Sequence, residues 1–173
     1  MSSDLRELYQ ETILDHGKRP RNFRELVSAN RKAEGYNPLC GDRETVYMEL
    51  DGDTVRDISF QGAGCAISTA SASMMTETIK GKSRAESEAL FERFHDLITG
   101  GSSAPADAPA LGKLEVFSGV REYPVRIKCA TLPWHTMRSA LNGAGQTIST
   151  ESGAEASPRD EPSGGGTAPP VAC

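Results

Sequence analysis

Apolar residues along this chain change their spacing several times, and each change marks an element. Leu5, Leu8, Tyr9, Thr12 and Ile13 fall at helical intervals, and that stretch runs out at Gly17 and Pro20. From Arg43 to Gln61 the spacing shortens to two. Val46, Met48 and Leu50 alternate with polar residues, Asp51-Gly52-Asp53 makes a turn, and Val55, Ile58 and Phe60 continue beyond it. That pattern predicts a hairpin, with room for a further strand before Cys40. Gly62-Ala63-Gly64 then breaks the run, and Ala66 to Lys80 reads as a helix striped by Ile67, Met74, Met75 and Ile79. Its alanines and serines allow neighbours to pack closely. Ser83 and Glu86 make a capping-box pattern ahead of Leu90, Phe91, Phe94, Leu97 and Ile98. Gly100 to Ala106 reads as a loop, Leu111, Leu114, Val116 and Phe117 as a short helix, and residues 125–142 as a last helix closed by Asn142-Gly143. Strands first and helices afterwards predict an α+β domain, a small antiparallel sheet of about three strands packed against a cluster of helices.

Composition changes this picture at one end. Of the residues from 144 to 173, twenty-one are Gly, Pro, Ser, Thr or Ala, and only Ile148 and Val171 are large aliphatics. Such a segment buries too little surface to offset its ordering entropy, so it is read as a disordered tail carrying Cys173. The folded unit is then residues 1–143, long enough for one core.

Charge narrows the partners. A net charge of −5 argues against nucleic acid. Six basic side chains and one acid, Glu25, lie between Lys18 and Lys32. They read as a solvated basic edge, with a docking surface for an acidic protein as the alternative. No run approaches the roughly 18 apolar residues of a membrane span. The first ten residues lack a basic end followed by an apolar core, so the expected location is the cytoplasm, with no membrane partner.

Cysteines in a reducing compartment more often serve metal or thiol chemistry than disulfides. Three of the four here stand beside backbone breakers: Cys40 within Asn37-Pro38-Leu39-Cys40-Gly41-Asp42, Cys65 after Gly62-Ala63-Gly64, and Cys129 after Pro124. Cys65 and Cys129 fall near predicted helix N-termini, where free N–H groups favour thiolate. Asp42 follows Cys40 by two residues and can reach the same ion, and a carboxylate is an acceptable zinc ligand beside sulfur. No CxxC pair is present, so spacing alone leaves open three unrelated core cysteines and a surface aspartate. Among the histidines, His16 reads as a cap or a packed side chain, His135 as structural, and His95 as solvated.

Four segments together carry a resemblance: Leu14-Asp15-His16-Gly17-Lys18-Arg19-Pro20-Arg21-Asn22-Phe23, Asn37-Pro38-Leu39-Cys40-Gly41-Asp42, Gly62-Ala63-Gly64-Cys65-Ala66-Ile67-Ser68 with Ser71-Ala72-Ser73-Met74-Met75, and Arg126-Ile127-Lys128-Cys129-Ala130-Thr131-Leu132-Pro133-Trp134. They span most of the folded unit, and the chain resembles the iron–sulfur scaffold family, in its SufU branch. IscU-type members carry a histidine immediately before the third cysteine, where this chain has Lys128. The stretch between Cys65 and Cys129 is also longer than in that type, by roughly twenty residues around Phe94–Gly112.

The resemblance implies a SufU/IscU-like fold and a zinc-dependent sulfurtransferase. Such a protein accepts persulfide sulfur from a SufS-type, pyridoxal-phosphate-dependent cysteine desulfurase and passes it to the downstream SUF cluster-assembly machinery. By position it makes Cys40 the sulfur acceptor, Cys40, Asp42, Cys65 and Cys129 the ligands of one Zn2+ per chain, and Arg126 a partner-sensitive residue. Lys128 is an auxiliary candidate that stabilises neighbouring thiolates by its charge. Two other functions stay in view: a cluster scaffold binding an Fe–S cluster on the same ligands, and a non-catalytic zinc-stabilised adaptor.

Overall fold

The computed structural model describes the backbone of residues 3–143 and 147–149 and the side chains of residues 6–143. Helix α1 (Ser3–Lys18) leads through a loop into β1 (Arg31–Asn37), β2 (Asp42–Asp51) and β3 (Thr54–Ala63). Helices α2 (Ala66–Ile79) and α3 (Arg84–Thr99), a 3-10 helix (Gly112–Glu122) and α4 (Pro124–Leu141) follow, with a short strand β4 (Thr147–Ser149) last. The sheet order is β3-β2-β1-β4; the first three strands form an antiparallel meander, and β4 lies parallel to β1. The α+β architecture expected from the apolar spacing is the one found.

Alternation builds the sheet. Val46, Met48 and Leu50 of β2 face inward, and Arg43, Thr45 and Tyr47 face out. The pairing with β3 shifts register between Glu49 and Leu50, because Leu50 pairs with Val55 while Glu49 pairs with Asp57. Arg56 is the extra residue of that bulge, and it lets both Val55 and Ile58, three positions apart, point into the core. The free edge of β3 is covered by the loop after α1. Asn22, at φ 57°, and Arg24 exchange backbone hydrogen bonds with Phe60 at 3.0 Å each, and the Phe23 ring meets Phe60 edge-on.

Helix α2 runs through the middle of the molecule. Its small buried residues hold its neighbours by hydrogen bonds. Ser71 Oγ donates to the Ala130 carbonyl at 2.6 Å, one turn before Trp134 of α4. Pro133 within α4 has no N–H to offer the Cys129 carbonyl, so this contact supports the helix next to an interruption. Ser73 Oγ accepts from the Arg21 backbone N–H at 2.8 Å and lies 2.7 Å from His16 Nδ1. The buried contact of His16 with Ser73 locks α1 to α2. His16 is thus packed, as one of its two readings had it.

Elsewhere the boundaries differ in detail. Ser83 caps α3 by accepting from the Glu86 N–H at 3.1 Å, and Gly100 ends it in the left-handed conformation. The short helix expected around residues 111–117 is a 3-10 helix of eleven residues. Strand β4 lies inside the segment read as a tail; its pairing with Glu34–Tyr36 adds an edge strand, and residues 150–173 fall outside the described part. Of the six basic side chains between residues 18 and 32, Arg19 and Arg21 pair with Asp15 at 2.7 Å, and Arg24 pairs with Asp57 at 2.8 Å. Among the described residues no helix is long and apolar enough to cross a membrane.

His95 departs from its solvated reading. Its ring stacks 6.0 Å from Phe91 and lies 6.1 Å from His135, which meets Phe91 edge-on at 5.1 Å. Burial, with the nearby His95 and Arg138, pushes the His135 pKa down to about 4. The unfolded chain therefore takes up this proton before the folded chain does. Stability from His135 is complete above the ordinary histidine pKa of about 6.5 and is lost as pH falls from there towards 4, by on the order of 2–3 kcal/mol. Denaturant unfolding of the wild type and His135→Phe at pH 7 and pH 4.5 checks this. The wild type is expected to lose more stability on acidification than the variant.

Candidate metal centre

The first of the site's residues sits in the turn between β1 and β2. Gly41, at φ 69°, closes that turn in a conformation open to glycine, and its N–H bonds the Asn37 carbonyl at 2.8 Å. Cys40 is held half-buried on it. Asp42 starts β2 and faces inward at 2% exposure. Cys65 is the N-cap of α2; its sulfur accepts from the Ser68 N–H at 3.4 Å, and it is exposed. Cys129 lies in the second turn of α4 and is buried.

Chain segments far apart in sequence thus converge. Cys129 Sγ stands 3.4 Å from Cys40 Sγ, and one ligand atom each of Cys40, Asp42 and Cys129 lies within 4.8 Å of the others. Cys65 borders this group. Asp42 Oδ1 accepts from the Cys65 N–H at 2.9 Å, and Cys65 Sγ is 3.9 Å from Asp42 Oδ2. Gly64 keeps that carboxylate in place, since a Cβ there would come within 2.9 Å of Asp42 Oδ1.

The donor set can be tested against an ion. Two sulfurs sharing a tetrahedral Zn2+, each at about 2.3 Å, stand about 3.8 Å apart, close to the separation of Cys40 and Cys129. Two thiols and a carboxylate in this arrangement, with a third thiol adjoining, suit zinc binding.

Electrostatics divides the sulfurs. A hydrogen bond from Cys129, helped by the Ser68 N–H, brings the Cys65 pKa down to about 6 against the cost of burial. The same contact, with burial and Cys40, holds the Cys129 thiol up. Near the site, Arg126 lies over the Tyr123 ring at 4.8 Å, and Lys128 immediately precedes Cys129 on α4. An ammonium has no lone pair, so Lys128 in its charged form is not a metal ligand. Leu39, Tyr123 and Val125 are exposed on the same segments.

Two residues at the site carry no chemical flag in the sequence. Asn37 is fully buried, with its side chain 3.6 Å from Cys129 Sγ. Glu44 is buried with Oε1 lacking a hydrogen-bond partner among the described residues. Burial, then Asp42 and Cys65, raises the Glu44 pKa well above the ordinary range. One signal for it exists: Glu44 shares the inward parity of Val46 and Met48 and is the charged residue adjoining them in that alternation.

Known proteins share this arrangement of chain. The NifU-like N terminal domain matches residues 8–130. The zinc-dependent sulfurtransferase SufU of Bacillus subtilis (strain 168) is 41% identical over 140 residues, covering 81% of this chain and 93% of its own. The iron-sulfur cluster assembly scaffold protein IscU of Streptococcus pyogenes serotype M1 is 40% identical over 139 residues, covering 80% and 86%. A crystal structure described as a putative iron-sulfur cluster assembly scaffold protein for the SUF system, from Fervidobacterium islandicum AW-1, superposes with a TM-score of 0.71. It is 36% identical, covering 81% of this chain and 99% of that one. The match covers most of the folded part of the chain, and the chain is a member of the SufU/IscU family of iron–sulfur cluster assembly proteins.

Proposed function

We propose that this chain is a zinc-dependent sulfurtransferase that accepts persulfide sulfur on Cys40 from a SufS-type cysteine desulfurase. It passes that sulfur to the SUF cluster-assembly machinery in the cytoplasm. The observation that carries the reading is the inequality of the three thiols: Cys129 is buried in a helix and Cys65 is pinned as a helix cap, while Cys40 rides on a glycine-closed turn. A bound Zn2+ keeps coordinating thiolates deprotonated and has no redox chemistry of its own. Cys40, Asp42, Cys65 and Cys129 would hold it.

The transfer step is thiol exchange. The Cys40 thiolate attacks the outer sulfur of the donor's persulfide, the donor S–S bond breaks, its thiolate leaves, and Cys40 carries the new persulfide. Asp42 and the Cys65 N–H keep the two turns together, so the attacking sulfur stays beside its neighbours. Arg126 and the exposed Leu39, Tyr123 and Val125 lie on the segments that bear Cys40 and Cys129, where an approaching protein would touch. Residues 1–143 are the unit proposed for this activity, with β4 completing the sheet edge.

Desulfurase turnover tests the reading. Addition of the zinc-loaded chain is expected to raise alanine formation from cysteine by a SufS-type enzyme. Unchanged turnover would favour the zinc-stabilised adaptor. The scaffold reading is supported by the relatives named IscU. A stable cluster after anaerobic reconstitution, transferable to an apo-protein, would favour it over sulfur transfer.

A further inference from the structure

Two sulfurs 3.4 Å apart, Cys40 and Cys129, are the same functional group, yet the reading above needs one to react and the other to stay. The side chain that touches both Cys129 and the turn bearing Cys40 is Asn37. The Leu39 backbone N–H donates to one terminal atom of its amide at 3.2 Å, and only an oxygen can receive that bond. The other terminal atom is therefore the NH2 group, which donates to Cys129 Sγ at 3.6 Å. The Asn37 backbone carbonyl accepts from the Gly41 N–H at 2.8 Å. One fully buried residue thus grips both ends of the Cys40 turn and touches the buried sulfur of α4.

We propose that Asn37 is a positioning residue that sorts the two sulfurs, its NH2 holding Cys129 as the fixed thiolate while its oxygens shape the turn that presents Cys40. An N–H donated to a thiolate draws charge off the sulfur and lowers its nucleophilicity, and such charge-assisted bonds are about twice as strong as neutral ones. Cys129 is 2% exposed, so water competes little for the sulfur. An amide supplies the donor without adding charge to the site. A group that hydrogen-bonds a metal ligand in this way fixes that ligand's orientation as well as its reactivity. The inference rests on Cys40 as the sulfur acceptor, and it assigns to Asn37 the reason that Cys129 is not.

The test uses Asn37→Asp in the full-length chain. This change keeps an oxygen for the Leu39 N–H and replaces the NH2 beside Cys129 with a second oxygen. Zinc affinity is measured by competition with a chromophoric chelator, and alkylation of each cysteine by iodoacetamide is followed by mass spectrometry on the zinc-loaded protein. Wild type is expected to alkylate at Cys40 well before Cys129. In Asn37→Asp, zinc affinity is expected to fall roughly 10- to 100-fold, and the preference for Cys40 to shrink by about the same order. Wild-type affinity and selectivity in the variant would overturn the proposal, as would tighter zinc binding by the new carboxylate. Asn37→Ser, whose hydroxyl is too short to bridge to Cys129, serves if Asn37→Asp does not fold, with the same outcomes deciding. If wild type protects Cys129 but no persulfide ever forms on Cys40, sulfur transfer fails while the sorting by Asn37 stands. If Cys129 is unprotected in wild type, the sorting itself is wrong.

Discussion

Cys40→Ala is expected to abolish the stimulation of a SufS-type desulfurase while leaving the chain folded. The nucleophile in the proposed exchange is a single sulfur, and no other side chain on its turn can take its place. Asn37, Pro38, Leu39 and Gly41 carry no thiol, and Cys129 is buried behind it. Loss of a nucleophile removes the covalent route, so the transfer rate is expected to drop by at least about 10²-fold. Stability should respond far less. Cys40 is half-buried on a turn whose shape comes from the bonds of Gly41 and Leu39 to Asn37, none of which uses the Cys40 side chain. A structural zinc role predicts the reverse, a lowered melting temperature with stimulation retained. Measuring both quantities on one preparation separates the two.

The largest expected effect on stability belongs to Trp134→Ala. Trp134 is completely buried and stacks on Phe94 with ring centroids 4.5 Å apart, while Phe94 meets Phe117 edge-on at 5.7 Å. These rings join α4, α3 and the 3-10 helix, so deleting the indole leaves a cavity that three elements would have to close. The expected cost is about 3–5 kcal/mol, much of the roughly 5–15 kcal/mol that holds an average domain together. The indole N–H has no partner among the described residues, so its value lies in packing. Trp134→Phe, which removes that N–H and keeps a ring, is therefore expected to cost much less than the alanine change. Urea unfolding midpoints of the two variants check the order. An equal loss in both would mean that the N–H matters after all. Because Cys129 lies on the same helix, Trp134→Ala is also expected to weaken zinc binding.

The sequence was most legible where side chains are large. Val46, Met48 and Leu50 mark β2 because each fills the core, and Leu90, Phe91, Phe94 and Ile98 mark α3 for the same reason. Strand β1 left only a faint signal. Its inward residues include Ala33 and Gly35, and α4 approaches so closely that a Cβ on Gly35 would run into Thr136 and Leu132. A strand that packs by being small leaves no apolar alternation to read. The bulge at Arg56 hides inside an alternation that looks continuous, and β4 is three residues long, too short for any period.

The metal centre followed a similar division. Breakers beside Cys40 and Cys65 flagged them, whereas the 3.4 Å approach of Cys40 to Cys129 spans 89 positions and depends on how α4 crosses the sheet. Spacing alone left the cysteines unassigned, and the family resemblance joined them. Asn37 stayed silent because an amide at a strand end looks ordinary until its surroundings are known, and Glu44 showed only in its shared parity with Val46 and Met48. Cys65 shows the opposite limit. Its place at a helix N-terminus was readable, but its position at the border of the Cys40–Asp42–Cys129 group is a matter of a few ångströms.

The central claim is that one sulfur in this site takes up the persulfide while the others stay with the metal. Mass spectrometry after incubation with a SufS-type desulfurase and cysteine, with zinc content measured on the same sample, tests it most directly. The account predicts an added sulfur on Cys40 alone, in protein holding about one zinc per chain. A persulfide on Cys65 or Cys129, or none on a zinc-loaded chain with an active desulfurase, would contradict it.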